Sequence, residues 1–177
     1  SWAPAVLVIA DINQDSLNDL VIAHYDDYQG LGVANTFGIC YQNPKTNLLD
    51  KEIVYQLPQG KSSRAIAAGD INSDGKNEVI VANERQGYNI YIWSWDQKKQ
   101  QLITTDKRKK HWSYTVSISV GDINNDNRND VVLYGTTMMI YSQQPDGSLS
   151  QMKHYGRTGG ESADIGDINN DGLNDVV

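Results

Sequence analysis

The residues best placed to do chemistry lie in Gly69-Asp70-Ile71-Asn72-Ser73-Asp74-Gly75-Lys76-Asn77-Glu78, followed at once by Val79-Ile80-Val81-Ala82. With Asp70 counted as position one, side-chain oxygens fall at positions one, three, five and nine, and a glycine at position six. Oxygen donors on alternate residues of a tight loop converge on a hard cation, and calcium takes about six to eight such ligands. The backbone must curl sharply for this, which is the work of Gly75.

The stretch returns three more times, from Asp11, Asp122 and Asp167. A single Asx-rich loop is an ordinary turn, because Asp and Asn hydrogen-bond their own backbone. Four copies with the same ligand positions are a pattern. The expected side-chain ligands are Asp11, Asn13, Asp15 and Asp19; Asp70, Asn72, Asp74 and Glu78; Asp122, Asn124, Asp126 and Asp130; and Asp167, Asn169, Asp171 and Asp175. The carbonyls of Leu17, Lys76, Arg128 and Leu173 complete each set from position seven, where the side chain is free to vary. One Ca2+ per loop, up to four, is the expectation. Magnesium fits less well, because it demands a small octahedron and holds its waters. An EF-hand would carry a bidentate Glu at position twelve between helices. Ile22, Val81 and Leu133 stand there, so that loop type is excluded. Position eight is Asn in every copy (Asn18, Asn77, Asn129, Asn174) and reads as a turn residue at the exit into a strand.

The elements that must position these loops are strands. The first Asp recurs at 11, 70, 122 and 167, intervals of the size of propeller blades. Blades are expected near 1–59, 60–113, 114–158 and, cut short, 159–177. Each of the first three reads as four strands: 6–10, 20–23, 37–41 and 52–57; then 65–68, 79–82, 90–95 and 101–105; then 116–120, 131–134, 138–142 and 149–155. Pro145-Asp146-Gly147-Ser148 reads as a hairpin turn. The second strand of each blade is a continuous apolar run, which means burial on both faces. No stretch has sustained helical periodicity.

These residues resemble the FG-GAP/VCBS repeats of integrin-α-like β-propellers, over the whole chain. The resemblance implies an all-β fold of four-stranded antiparallel blades. Three are full and a fourth is begun, as part of a larger propeller closed by the remaining blades of a parent chain or by another copy. It also implies calcium loops joining the first and second strands on one face, with ligands bound on the opposite face. Ser16 and Asn127 depart from the family's glycine at position six, and serine adopts a left-handed backbone poorly. Glu78 stands where Asp is usual.

The opposite face should carry the connections between second and third strands and between blades. His24, Tyr25, Tyr28, Arg64, Arg85, Tyr88, Trp112 and Tyr114 are the candidate ligand-binding residues there, as aromatics and arginines beside glycines. Their competing role is to fill space between blades. The basic run Lys107-Arg108-Lys109-Lys110-His111 reads as a solvated strand edge that blocks pairing, ahead of a site for an anionic polymer.

The remaining composition narrows the classes. The chain has 39% apolar and 21% charged residues and no apolar run long enough for a membrane span. Its net charge of −7 belongs mostly to the loop carboxylates, and four divalent ions would bring it to about +1. No nucleic-acid partner is expected. The opening Ser1-Trp2-Ala3-Pro4 suggests a chain processed or cut from a longer one. Cys40 is alone, within an apolar strand. The three histidines share no metal-ligand spacing, and there is no nucleophile elbow or phosphate loop. The expectation is therefore a non-enzymatic, extracellular or cell-surface module for recognition or adhesion, binding glycan or protein. The alternatives are the non-catalytic scaffold of a secreted polysaccharide-active enzyme, and a purely structural repeat of a surface protein.

Overall fold

A computed structural model describes residues 4–24, 35–58, 62–84, 89–109, 115–157 and 162–177. Among them there is no helix, and so none long and apolar enough to cross a membrane. The first sheet is β1 (Pro4–Ala10), β2 (Asp19–His24), β3 (Thr36–Cys40) and β4 (Ile53–Gln56). The second is β5 (Ser62–Gly69), β6 (Glu78–Glu84), β7 (Asn89–Asp96) and β8 (Gln101–Lys109). The third is β9 (Thr115–Gly121), β10 (Asp130–Gly135), β11 (Thr137–Tyr141) and β12 (Lys153–Arg157). A short ladder of β13 (Ile165–Gly166) and β14 (Asp175–Val176) follows. In every sheet, strands adjacent in sequence pair antiparallel, so each is a four-stranded meander and the last the first ladder of another. These are propeller blades, and the ring they begin is not closed.

Apolar runs on the second strands do what continuous runs must. Val79, Ile80, Val81 and Ala82 of β6 are all within 1% of full burial, as are Val131, Val132 and Leu133 of β10. Successive side chains point to opposite faces, so each blade is apolar on both sides and is sealed by its neighbours. One core lies between the first and second sheets, where Val21, Phe37 and Ile39 meet Val79, Tyr91 and Trp93. Phe37 stacks on Tyr55 at 5.2 Å and meets Trp93 edge-on at 5.2 Å. A second core lies between the second and third sheets, with Ile80, Ile90 and Ile92 against Ile118, Leu133 and Met139. β2 departs from the pattern: Leu20 and Ile22 are half-buried, because they point to the side that no sheet covers.

Neighbouring sheets approach closely at the glycine before the second loop and at the glycine before the third. A Cβ placed on Gly69 would lie 2.6 Å from Cγ1 of Val120, and one on Gly121 would lie 3.1 Å from Cγ2 of Ile165. At the first joint Ala10 stands in the glycine position, and the side chain two before the next loop shrinks to Ala68.

Strand boundaries match expectation to within a few residues except at β12. The sequence predicts a strand from Leu149, yet pairing beyond the turn is a single bridge, Gln143 with Leu149, and β12 starts at Lys153. The first blade has the same arrangement, a single bridge of Gln42 with Leu49 followed by β4 from Ile53. Arg108 Nη1 donates to the carbonyls of Leu149 and Ser150, each at 3.1 Å. That corrects the reading of the basic run as a solvated edge. Lys107–Lys109 do lie on an outermost strand, but Arg108 turns inward, bonds Asp106, and lies 5.5 Å from the centre of the Tyr141 ring. The hairpin turn at 145–148 is present, with Gly147 at φ +80° and Ser148 N–H donating to Asp146 Oδ1.

Gly69→Ala places a methyl against Val120 and should destabilise the domain by about 1–3 kcal/mol. Gly166→Ala meets nothing within 4 Å and should be neutral. Urea unfolding of both variants checks this.

Candidate functional site

All four Asx-rich loops join the first strand of a blade to its second. Each is wound around its first carboxylate. Asp70 Oδ1 accepts from the amides of Asn72 and Asp74, both at 3.2 Å, and Oδ2 accepts from Gly75 N–H at 2.8 Å. Asp11, Asp122 and Asp167 each accept the amides of positions five and six in the same way. The fifth residue caps the seventh: Asp15, Asp74, Asp126 and Asp171 take the amides of Leu17, Lys76, Arg128 and Leu173 at 2.8–3.0 Å.

Two residues per loop are left-handed, where one was expected. Position six is, at Ser16 (φ 68°), Gly75 (80°), Asn127 (63°) and Gly172 (84°). So is position four, at Gln14 (65°), Ser73, Asn125 and Asn170 (each 60°). Ser16 therefore adopts the family's conformation despite its Cβ, at a cost of about 1–2 kcal/mol relative to an ordinary backbone.

The ninth residue is the buried one. Asp19, Glu78 and Asp130 are 1%, 2% and 0% exposed, respectively. Each accepts the amide of position two, from Ile12, Ile71 or Ile123. In the first and third blades its other oxygen takes the amide of a glutamine just past the third strand, Gln42 or Gln143, at 2.9 Å. In the second blade Trp95 occupies that place. The longer Glu78 instead takes hydrogen bonds from the Asn72 amide and the Ser94 hydroxyl. Burial pushes all three carboxyls above their ordinary range, and the neighbouring acids add to it: Asp15 at Asp19, Asp126 and Asp122 at Asp130. Glu78 is pushed to about 7 by burial, with Asp74 and Asp70 contributing. Backbone amides pull in the opposite direction at each site.

The donor set fits a hard divalent cation in kind. It is all oxygen, each carboxylate has about four lone-pair sites, and Asp175 Oδ2 in the fourth loop is buried with no hydrogen-bond partner. Convergence is looser: among the described residues no three Asp, Glu, His or Cys side chains stand close enough to share one ion. The third loop also supplies a positive charge of its own. The Arg128 guanidinium bonds the Asp126 carboxylate, and its Nε reaches the Gln143 carbonyl at 3.4 Å. The side chain at position seven is thus not free there.

Position eight does something the sequence reading missed. Asn77 Nδ2 donates to the carbonyl of Asp11 at 2.9 Å, Asn129 to that of Asp70 at 2.9 Å, and Asn174 to that of Asp122 at 2.7 Å. Each asparagine reaches back to position one of the preceding loop, so it latches blade to blade. The signal was an asparagine at position eight in all four loops.

Of the expected ligand-binding residues, His24 is described and is 3% exposed. Its Nδ1 lies 2.8 Å from Thr36 Oγ1 and its Nε2 2.7 Å from Glu52 Oε1. The ring is engaged inside the first blade, and the His24 backbone is bonded to Ser63 of the second. Tyr25, Tyr28, Arg85, Tyr88, Trp112 and Tyr114 lie outside the described residues, as does the side chain of Arg64 on β5.

A family model for the FG-GAP-like repeat matches residues 11–81, 70–133 and 122–177. Each match begins at the first aspartate of a loop and runs into or through the next loop, so the family's unit is phased on these loops. A comparison with curated proteins returns no match.

Asn129→Ala should leave the Asp70 carbonyl without its donor and cost about 1–3 kcal/mol. Asn18→Ala, at an exposed position, should cost nothing measurable in the same unfolding experiment. Ser16→Gly should raise stability by up to about 1 kcal/mol by relieving the left-handed serine.

Proposed function

The chain belongs to the FG-GAP-like repeat family, and from that premise we propose that it is a calcium-stabilised recognition module of an extracellular or cell-surface protein. The observation that carries the calcium half is the repeated cradle. Four loops wrap their first and fifth acids on backbone amides, and the buried ninth acids of the first three are held above their ordinary range by burial and by the other acids of their own loops. A divalent cation supplies the charge that such a cluster lacks. Asp, Asn, Asp and Asp/Glu at positions one, three, five and nine, with the carbonyl of position seven, would hold it. Three carboxylates per loop leave net −1 around a doubly charged ion.

The role of the ion in this reading is structural. It fixes the loop from which the latch carbonyl and the second strand both depart. Calcium at ten to a hundred times the dissociation constant adds about 1.4–2.7 kcal/mol per site. Loops of this kind fill readily where calcium is millimolar, which supports an extracellular setting.

Recognition is assigned to the face away from the loops. The loops keep one length, while the connections between second and third strands vary widely: eleven residues after His24, four after Glu84, one after Gly135. Constant length on one face and variable length on the other is how a scaffold presents different surfaces. The ligand is a glycan or a protein, bound without turnover.

Two measurements test the proposal. Chelation should lower the melting temperature by at least about 5 °C, and calcium should restore it; an unchanged melting curve would reject the calcium reading. A glycan and matrix-protein array in millimolar calcium should show saturable binding, weakened by Tyr25→Ala or Trp112→Ala. Silence from folded protein would reject the recognition reading and leave a scaffold.

A further inference from the structure

We propose that the second and third loops bind calcium as a coupled pair, and that Gln143 is the positioning residue that couples them. This rests on the calcium binding proposed for these loops and adds a link between two of its sites.

Gln143 lies just past β11 and is 1% exposed. Its polar groups face two different loops. The backbone N–H donates to Asp130 Oδ1, at position nine of the third loop, at 2.9 Å. The backbone carbonyl accepts from Nε of Arg128, at position seven of that loop, at 3.4 Å. The side chain turns to the other loop, where Nε2 donates to Ser73 Oγ at 2.9 Å. Ser73 stands at position four of the second loop, between the expected ligands Asn72 and Asp74. Among the described residues it is the carboxamide's one hydrogen-bond partner, since Oε1 is buried with none.

The hairpin that Gln143 opens rests on the same loop. A Cβ on Gly147 would lie 2.6 Å from the carbonyl oxygen of Asn72, so that approach needs a glycine. Asn72 in turn accepts the Asp74 N–H on its side-chain oxygen at 2.8 Å. The third blade's hairpin is therefore laid on the second loop, at positions three and four.

Asn72 and Asp74 are drawn in when they share an ion, and Ser73 is fixed between them. The Gln143 side chain is then held, and its backbone N–H keeps the Asp130 carboxylate in place. The third loop is spared part of the ordering that binding would otherwise demand of it, which makes one site favour the other. The effect is reciprocal. The first and second loops have no such glutamine between them. Trp95 stands in its place, and the indole N–H donates to Gln97 of its own blade at 2.9 Å. The asparagine latch is common to both joints, so it does not set them apart.

Calcium titrations of the full chain, followed by two-dimensional amide NMR, test this. The amides of Ser16, Gly75 and Asn127 each donate to the first aspartate of their own loop, and so report the first, second and third sites separately. Asp74→Asn weakens the second site directly. It should also weaken the third by about three- to tenfold, the contribution of one hydrogen bond, with a smaller effect on the first. Ser73→Gly removes the hydroxyl yet suits the left-handed backbone there (φ 60°), so the loop keeps its shape. In that background Asp74→Asn should no longer reach the third site. Gln143→Met, of similar length and without the donor, should act in the same way. A third site indifferent to Asp74→Asn in the otherwise native chain overturns the coupling. Coupling that survives in either the Ser73→Gly or the Gln143→Met background overturns the assignment to Gln143. Amides that do not move with calcium at all overturn calcium binding itself, and the coupled pair with it.

Discussion

A blade that is apolar on both faces cannot stand alone, and everything else in this structure answers that constraint. Alternation along a strand sends neighbouring side chains to opposite sides. The buried runs of β6 and β10 therefore require a sheet on each side, and two separate cores result. The isoleucine at loop position two records the dependence directly. It is fully buried at Ile12 and Ile71, where a complete blade packs on it, half-buried at Ile123 beside the short ladder, and exposed at Ile168. Burying such a side chain is worth about 1.5–3 kcal/mol, comparable to the latch that holds it in place.

The same ten residues serve two masters by dividing odd positions from even ones. Side chains at positions one, five and nine take backbone amides of their own loop. Position two enters the joint, four and six supply left-handed turns, and eight crosses to the neighbouring loop. This explains why the stretch recurs with so little variation. A loop reduced to its oxygens would keep the acids and lose the seam between blades. Where the acid set changes, the surroundings change with it: Glu78 reaches Ser94 in the one full blade where Trp95, on the third strand, stands in place of the glutamine.

Much of this was legible in the sequence because it is local. Loop spacing, apolar runs and turn residues lie within a few positions of one another, and they located the strands, the meander and the loop placement. What escaped detection depends on contacts far apart in sequence. Asn77 was readable as a turn residue, but its partner Asp11 is in another blade. Arg108 looked like part of a charged edge, and the carbonyls of Leu149 and Ser150 that claim it belong to the next sheet. His24 stood in a connection of the kind that binds ligands, yet Thr36 and Glu52 hold its ring inside the blade. Repetition offered one route past this limit. A residue type at the same place in four copies reports a shared contact even when the partner is out of view.

Repetition also shows how such an array can drift without coming apart. The two sides of a joint trade bulk: Gly69 lies beneath Val120 and Gly121 beneath Ile165. A side chain that grows on one blade requires a glycine on the one before it, because an interior at crystal-like density has no slack for a methyl. Each seam is therefore a matched pair, and blades are not freely interchangeable along the chain. The constraint is confined to the inner strand and the loop. Beyond it, in the outer hairpins and the far connections, the blades differ most in length. Stability is thus concentrated where the four copies agree, and length varies where they do not.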